Sequence, residues 1–304
     1  MIAHSARPTR WSLLGAALSV FVLAAPISAQ EDKTVRINKY VAQLKDGDAQ
    51  ARASAASELA NLGEKEHAKD ILPLLKDREA VARAWAAEAL GRLGAKEYAK
   101  EIAQLLLDKD TFTRVRAAEA LGRLGAKIYA KWIAPLMKEE AVAAKGMVAL
   151  SLGRLGAKEY VREIAPLLKH TNGDVRGGAA LGLSLLGAKE YVREIAPFLK
   201  DNDAYPRACA AWALGHLGAK EFGKQIALLL KDQEATVRGP AAWALGKLEA
   251  RESVKALTNL VDDLSKCEIL DEDTKEMLET TVGAAARKAL TSWGMDPEKL
   301  KLPK

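Results

Sequence analysis

The sequence has few of the residues that build covalent or metal-bound cores. It contains two cysteines and four histidines in 304 residues. Two cysteines exclude a multi-disulfide scaffold and a four-cysteine zinc site, and four histidines leave little for a histidine-rich metal centre. Aromatic residues make up 5% of a chain that is 49% hydrophobic, so alanine and leucine must fill most of the interior. This composition favours a helical protein, for which we expect no metal and no cofactor.

Motifs of common catalytic sites are missing as well. The chain has no His-Glu-x-x-His zinc motif and no complete Gly-x-x-x-x-Gly-Lys-Ser/Thr phosphate loop. The segment nearest to a Gly-x-Ser-x-Gly nucleophile motif, at 182–186, lacks the second glycine and lies in a predicted helix. We therefore predict that the protein is not an enzyme.

The N-terminus has the pattern of an export signal. Arg7 and Arg10 precede a largely apolar run at 12–25, and small residues end at Ala29. A run of about 13 apolar residues is too short for an ordinary transmembrane helix, so we predict a signal peptide over 1–29, cleaved after Ala29. An uncleaved membrane anchor is the alternative interpretation. Cleavage predicts a secreted or periplasmic protein with no other membrane contact.

Net charge gives little indication of a nucleic-acid partner. The chain carries +6, and removing the two arginines of the signal leaves +4. So small a positive charge on a chain of this length aids solubility, and no nucleic acid is expected to bind.

A 31-residue internal repeat dominates the rest of the chain. A leucine followed by glycine recurs without insertion, except that glutamate replaces the last glycine; the glycine positions are Gly63, Gly94, Gly125, Gly156, Gly187, Gly218 and Glu249. Such regularity indicates one supersecondary unit that buries its apolar face against its neighbours. We predict an all-α solenoid, a right-handed α-α superhelix of helical hairpins, over 30–262. It comprises seven full periods and a degenerate N-terminal helix that matches the repeat only in part. Residues 263–304 are predicted to form an acidic insert and a long capping helix from about 274 to 293.

Each period contains two helical patterns separated by short turns. The first helix, such as 95–106, carries Lys and Glu on one side and an isoleucine column on the other. The second helix, such as 80–93, carries alanine and leucine at spacings of three and four and ends at the glycine. These columns are predicted to form the core.

Charged columns predict a structural ladder. A basic residue recurs in each second helix, and an acid precedes it by six residues in most periods. The bases are Arg52, Arg83, Arg114, Lys145, Arg176, Arg207 and Arg238, and the acids are Asp46, Asp77, Asp108, Glu139, Asp201 and Asp232. Each arginine could reach its own acid or that of the next repeat. Phosphate binding is the alternative, and His170 replaces the acid at one position, where the ladder should be weakest.

The motif Asp-x-x-x-x-x-Arg followed by Ala-Ala-x-x-Leu-Gly-x-Leu-Gly resembles HEAT repeats of the short, phycobilisome-lyase-like type. Prolines in the first helix, at Pro73, Pro135, Pro166 and Pro197, add to the resemblance. It implies a curved surface for protein binding. Deoxyhypusine hydroxylase, an enzyme with this repeat, binds two irons through His-Glu pairs, and this chain has no His-Glu dipeptide.

A partner-binding groove is predicted where the repeats differ. The positions two, six, nine and thirteen residues before the glycine should line the concave face of the second helices. The predicted binding residues are Trp85, Arg92, Phe112, Arg116, Arg123, Met147, Leu150, Arg154, Leu181, Leu185, Tyr205, Trp212, His216 and Trp243. Apolar and aromatic side chains beside arginine are typical anchors of protein contacts. In the alternative interpretation, curvature buries these residues and Trp212 and Trp243 stack on each other.

Two smaller features remain open. Ile128 and Trp132 replace acids on the outward side of the first helix of the third period. They could form a contact on the convex face, such as a homodimer patch, or they could pack locally against the neighbouring turn. Cys209 and Cys267 could form a disulfide after export.

These patterns predict an exported, non-enzymatic scaffold that binds a protein or peptide in its groove. The alternatives are a repeat enzyme or its regulatory subunit, related to the lyases or hydroxylases, and a weak nucleic-acid binder.

Overall fold

The computed structural model of the protein describes residues 33–138, 142–271 and 277–300. The predicted signal peptide over 1–29 lies outside the described residues, as does Glu139 of the predicted ladder. Both therefore stay predictions from the sequence.

The chain divides into two compact units, Met1–Lys39 and Tyr40–Lys304. In the first unit the described residues form the start of helix α1, Lys33–Gln43. All interactions below lie within the second unit. None of the helices in the described part of the chain combines the length and the apolar character needed to cross a membrane.

The second unit is a succession of helices with one small sheet near its end. In chain order the elements after α1 are α2 (Ala49–Leu62), α3 (Ala68–Ile71), α4 (Ala80–Arg92), α5 (Ala99–Gln104), α6 (Thr111–Arg123), α7 (Ala130–Ile133), α8 (Val142–Arg154), α9 (Val161–Ile164), α10 (Gly173–Leu185), α11 (Val192–Ile195), α12 (Ala204–Leu217), α13 (Gly223–Leu228), α14 (Ala235–Leu248), α15 (Val254–Thr258), β1 (Lys266–Leu270), β2 (Met277–Thr281), α16 (Val282–Ser292) and α17 (Pro297–Leu300). The even-numbered helices from α2 to α14 are the predicted second helices, and the odd-numbered helices from α3 to α15 are the α-helical parts of the first helices. The predicted all-α solenoid is confirmed.

Each second helix is followed by a residue in the left-handed backbone region. Gly63 after α2 has φ 73°, and the equivalent glycines have similar angles. Glu249 takes this place after α14 with φ 55°, a conformation that a residue with a side chain adopts at some cost in free energy. The repeated glycine therefore sets where each second helix ends.

The first helices were predicted to be continuous, but the structure divides each of them into segments. Short 3₁₀ segments precede and follow the α-helical parts, for example at Lys65–His67 and Leu72–Lys76 around α3. The α-helical part has four residues in α3, where Pro73 follows, and six in α5, where Gln104 stands at the equivalent position. Proline lacks the N–H that would continue the i→i−4 hydrogen bonds, so it shortens the α-helix.

Consecutive second helices pack against each other along the repeat columns. Ala149 and Leu152 of the second helix α8 are fully buried, and so is Ile164 of the first helix α9. Some second helices meet at their backbones. A Cβ atom on Gly153 would lie 2.7 Å from Cα of Gly182 on the next second helix, a distance that real side chains do not show. Small residues at these crossings bring the helices close enough to bury the leucine column.

A ladder of ion pairs joins successive repeats on one edge. Arg83 donates from Nε to Oδ2 of Asp108 at 2.6 Å and from Nη1 to the carbonyl of Asp77 at 2.7 Å. Asp108 belongs to the next repeat, and Asp77 to the arginine's own. The same arrangement joins Arg52 to Asp77, Arg176 to Asp201, Arg207 to Asp232 and Arg238 to Asp263. Arg83 and Asp108 are almost entirely buried, and this hydrogen bond holds the pKa of Asp108 below its ordinary value.

Two positions of the ladder differ. Arg114 donates to the carbonyl of Asp108 at 2.6 Å, and the equivalent acid of the next repeat is Glu139, outside the described residues. At the next position the two residues are Lys145 and His170. The His170 Nδ1 accepts a hydrogen bond from the Asn172 backbone N–H at 3.0 Å, as the acids of the ladder do in their own repeats.

The C-terminal region differs from the predicted long helix. Strands β1 and β2 form an antiparallel hairpin in which Glu268 pairs with Glu279, and only then does α16 begin, at Val282. The helix takes the place of a further second helix, since a Cβ on Gly246 would contact Ala289, as Gly153 would contact the next helix. The last unit is thus a repeat with a hairpin inserted between its two helices. The start predicted near 274 lies outside the described residues.

Candidate binding surface on the second helices

The N-terminal part of the predicted groove holds an aromatic pair around an arginine. The rings of Trp85 and Phe112 lie 6.5 Å apart, edge to face, and both are half-buried. The guanidinium of Arg116 lies 5.2 Å from the centre of the Trp85 ring and 4.8 Å from that of Phe112. Its Nη1 is 2.9 Å from Oε2 of Glu119 and 3.0 Å from Oε2 of Glu88.

Arg116 is therefore buried, and its prediction as an accessible residue of the groove was wrong. It is 7% exposed. Burial alone would lower its pKa, but the carboxylates of Glu119 and Glu88 outweigh this effect and hold the pKa above its ordinary value. The arginine acts as a fixed cation that orients the two aromatic rings.

The flanking arginines differ in accessibility. Arg92 is exposed and donates from Nη2 to Oδ1 of Asn61 at 2.6 Å, and Arg123 is half-buried. Arg154 is only 2% exposed, so the expectation that it lines the groove was wrong. Of these three arginines, only Arg92 and Arg123 are thus accessible.

In the middle of the face, Met147, Leu150 and Leu185 are half-buried, whereas Leu181 is 4% exposed and so contradicts the prediction. Helices α8 and α10 come so close here that a Cβ on Gly178 would overlap the carbonyl oxygen of Gly146 on α8. Side chains at so tight a crossing are enclosed, and those farther from it remain accessible.

Tyr205 follows on α12 and stays 37% exposed. Burial of its hydroxyl raises its pKa well above the ordinary value, and Cys209 and Asp174 add to the rise. Burial also raises the pKa of the Cys209 thiol to about 12, so the thiol stays protonated at neutral pH. Cys209 and Cys267 are both free and buried, so the structure contains no disulfide between them.

The C-terminal part of the predicted groove is closed by the chain itself. Trp212 stacks on Trp243 at 5.1 Å and on His216 at 4.7 Å, with nearly parallel rings. The indole Nε1 of Trp212 donates to the carbonyl of Leu270 on β1 at 2.7 Å, and Trp212 is 2% exposed. Its assignment to an open groove was therefore wrong. Trp243 and His216 are half-buried.

The hairpin that covers Trp212 was missed in the sequence. Strand β1 packs on α14, where a Cβ on Gly239 would overlap Sγ of Cys267. Only a glycine there allows the strand so close. The signal was the short alternation of apolar and polar residues at 266–270, which is typical of a strand with one buried face.

An accessible row remains on α4, α6, α8, α10 and α12, which we call the second-helix surface. It consists of Trp85, Arg92, Phe112, Arg123, Met147, Leu150, Leu185 and Tyr205. These side chains present apolar area beside two cations. No cluster of three or more potential metal ligands occurs among the residues that the structure describes.

Ile128 and Trp132 lie on the opposite, first-helix side. They are 74% and 47% exposed. The Trp132 ring packs at 5.7 Å from that of Tyr129, and the Nζ of Lys131 lies 4.2 Å from the centre of the Trp132 ring.

Comparison with known proteins identifies the repeat. The sequence model for HEAT repeats matches residues 37–122, 72–143, 129–215 and 192–266. Among curated proteins, none matches this chain.

Two solved structures are similar to this chain to different degrees. The complex of CpcE and CpcF of phycocyanin lyase from Nostoc sp. PCC7120 is similar to it with a TM-score of 0.61 and 22% identity, covering 78% of this chain and 99% of that one. Human deoxyhypusine hydroxylase in complex with glycerol matches with a TM-score of 0.39 and 20% identity, covering 86% of this chain and 98% of that one. At 22% identity the likeness to the complex of CpcE and CpcF concerns the fold alone.

Proposed function

This chain belongs to the HEAT-repeat family, and we propose that it is an exported, non-enzymatic scaffold that binds a protein or peptide on its second-helix surface. The proposal rests on one observation. Met147, Leu150 and Leu185 leave part of their apolar area accessible on consecutive second helices, next to the Trp85 and Phe112 pair. A row of accessible apolar side chains flanked by arginine is typical of a protein-binding surface.

The internal repeat supports the assignment of these apolar residues to binding. Leu150 occupies the position of Glu88 and Glu119, and Leu185 occupies the position of Arg92 and Arg123. The fold therefore accepts charged side chains at both places, although both glutamates are paired with Arg116. Helix packing alone does not require leucine at either position.

Binding fits the chemistry of the surface better than catalysis does. Its accessible side chains are mainly apolar and aromatic, and Arg116 is already held by two carboxylates. The Cys209 thiol, with its pKa of about 12, is not activated as a nucleophile.

A selection of peptides tests this function. We would pan a phage-displayed library of random peptides on the immobilised chain and measure binding of the enriched peptides to a Leu150→Glu/Leu185→Arg variant. Loss of one central apolar anchor commonly costs about 2 kcal/mol, and about 1.4 kcal/mol corresponds to tenfold in affinity. We expect at least tenfold weaker binding by the variant.

Leu107→Lys is the matched control. Leu107 is 85% exposed, and lysine stands at the equivalent position in most other repeats, so this change also removes an exposed leucine. It should leave peptide affinity unchanged. Enriched peptides that bind the Leu150→Glu/Leu185→Arg variant as tightly as the wild type would contradict the proposal, and circular dichroism must show equal helicity.

Export is tested separately. Residues 1–29 fused to an alkaline phosphatase without its own signal should give activity outside the cytoplasm, and sequencing of the mature protein should begin at Gln30. Val20→Arg together with Val22→Arg, which breaks the apolar run, should abolish both. A protein that keeps the segment 1–29 and sediments with membranes would instead support the anchor.

A further inference from the structure

One first helix departs from the others on its exposed side. Ile128 stands where the six equivalent positions all carry glutamate: Glu66, Glu97, Glu159, Glu190, Glu221 and Glu252. Trp132 stands where Asp70, Glu101, Glu163 and Glu194 carry an acid. We call Lys127, Ile128, Lys131 and Trp132 the Trp132 patch.

Packing does not account for the apolar residues of the patch. Ile128 is 74% exposed, so most of its side chain contacts no other part of the protein. Six other repeats form the same turn with glutamate at this position. The exposed isoleucine thus contributes little to folding. Together with the exposed 47% of Trp132, one helical turn later, it presents an apolar surface to solvent.

Charge indicates what covers this surface. Segment 126–138 contains Lys127, Lys131 and Lys138, all exposed, and no carboxylate. The next two residues are acidic but lie outside the described residues. On the neighbouring first helices, glutamates such as Glu97 and Glu159 accompany the lysines. Replacement of both acids therefore makes this helix apolar and cationic at once.

We propose that the Trp132 patch docks an acidic segment of a partner protein whose apolar side chains cover Ile128 and Trp132. Carboxylates of the segment would pair with Lys127 and Lys131. Two copies of this chain meeting patch to patch would bring like charges together, which disfavours a symmetric homodimer through this surface. The patch lies on the first helices, so this docking is independent of the second-helix surface.

The chain itself supplies a matched pair of variants. Ile128→Glu with Trp132→Glu restores acids that other repeats already carry, so the fold should persist. Leu107→Lys likewise restores a residue found in other repeats, but outside the patch. Circular dichroism and the unfolding midpoint of both variants should match those of the wild type.

The probe is a synthetic peptide about four helical turns long, rich in glutamate, with two leucines one turn apart. A second peptide carries lysine in place of every glutamate. Fluorescence anisotropy should show salt-sensitive binding of the acidic peptide to the wild type and to Leu107→Lys. Binding should weaken at least tenfold in the Ile128→Glu/Trp132→Glu variant, and the lysine peptide should not bind.

Several results would overturn the proposal. These are no binding of the acidic peptide below about 1 mM, equal binding of both peptides, or equal binding by the Ile128→Glu/Trp132→Glu variant. Sedimentation that shows self-association of the wild type, lost in that variant, would assign the patch to a second copy of the chain. Binding to vesicles of anionic phospholipid, lost in the same variant, would assign it to a membrane surface.

Discussion

The gap in the ion-pair ladder gives a sharp test of what holds successive repeats together. At five positions an arginine meets the aspartate of the following repeat, but at one position the two residues are Lys145 and His170. We predict that Lys145→Arg combined with His170→Asp creates the missing ion pair and stabilises the protein.

The geometry and burial of the existing ion pairs indicate how much the new pair should stabilise the protein. Their N to O distances lie between 2.6 and 3.1 Å, and the paired side chains are between 8% and 18% exposed. Exposed ion pairs contribute about 0 to 1 kcal/mol, and hydrogen bonds to charged groups about 1.5 to 3 kcal/mol. Desolvation of a largely buried pair offsets part of this gain. We expect a net stabilisation of about 1 to 2 kcal/mol, which corresponds to a few degrees in Tm for a protein of this size.

A double-mutant cycle measures the interaction itself. Urea unfolding of the wild type, both single variants and the double variant gives the coupling free energy between positions 145 and 170. Lys145→Arg alone should change the free energy of unfolding little, because the new guanidinium finds no carboxylate at position 170. His170→Asp alone should stabilise the protein less than the double variant does, because the lysine ammonium lacks the planar guanidinium that binds both carboxylate oxygens.

The sign of the pH dependence provides the control. A carboxylate bonded to arginine has a lowered pKa in the folded state, so its contribution is complete above the ordinary pKa and is lost as the pH falls through the folded value. The coupling should be present at pH 7 and vanish in strong acid. A coupling free energy below about 0.3 kcal/mol at pH 7, within the usual error of additivity, would refute this account of the ladder.

Three further predictions follow from single contacts. Arg83 holds the pKa of Asp108 below its ordinary value of 3.8, so Asp108→Asn should lower the free energy of unfolding at pH 7 and make it depend less on pH below about 4; an unchanged pH dependence would contradict this. Gly153→Ala should destabilise by about 1 to 3 kcal/mol in urea unfolding, because its Cβ would lie 2.7 Å from the Gly182 backbone; an increase in stability, the usual effect of alanine in a helix, would show that the helices separate freely. Trp212→Phe should destabilise by about 1 to 3 kcal/mol because the buried Leu270 carbonyl loses its donor, whereas the same change at the half-buried Trp243 should have a smaller effect; equal losses would argue against this hydrogen bond.

The sequence predicted most reliably what the repeats have in common. Ala149, Leu152 and Ile164 belong to columns that recur once in every repeat, and all three are fully buried. Each column places residues in the same environment several times within one chain. A residue type that recurs in the column therefore indicates whether the position is buried, and a single exception is easily recognised. The same comparison placed the arginines and aspartates of the ladder, whose pairing depends only on a constant offset between repeats.

Predictions failed where the repeats differ. A residue that occurs in only one repeat has no equivalents whose shared type would indicate its environment. Trp212 and Leu150 occupy equivalent positions, yet Trp212 is buried beneath β1 and Leu150 is half-buried. The difference arises from a hairpin that follows much later in the chain, which helical periodicity does not reveal. Arg154 and Leu181 were misplaced for a related reason, because the glycines of α8 and α10 bring these helices closer than a uniform spacing implies.

This contrast also separates the two surfaces to which we assign binding. A residue that departs from its column can be explained by a new internal contact, as Trp212 is by Leu270, and then it indicates nothing about partners. Ile128 departs from a column of glutamates, and Leu150 stands where two earlier repeats carry glutamate. Both keep accessible apolar area at positions where the same chain folds with glutamate. Exposure after departure from the repeat, and not departure alone, is therefore the criterion by which we propose binding residues in this solenoid.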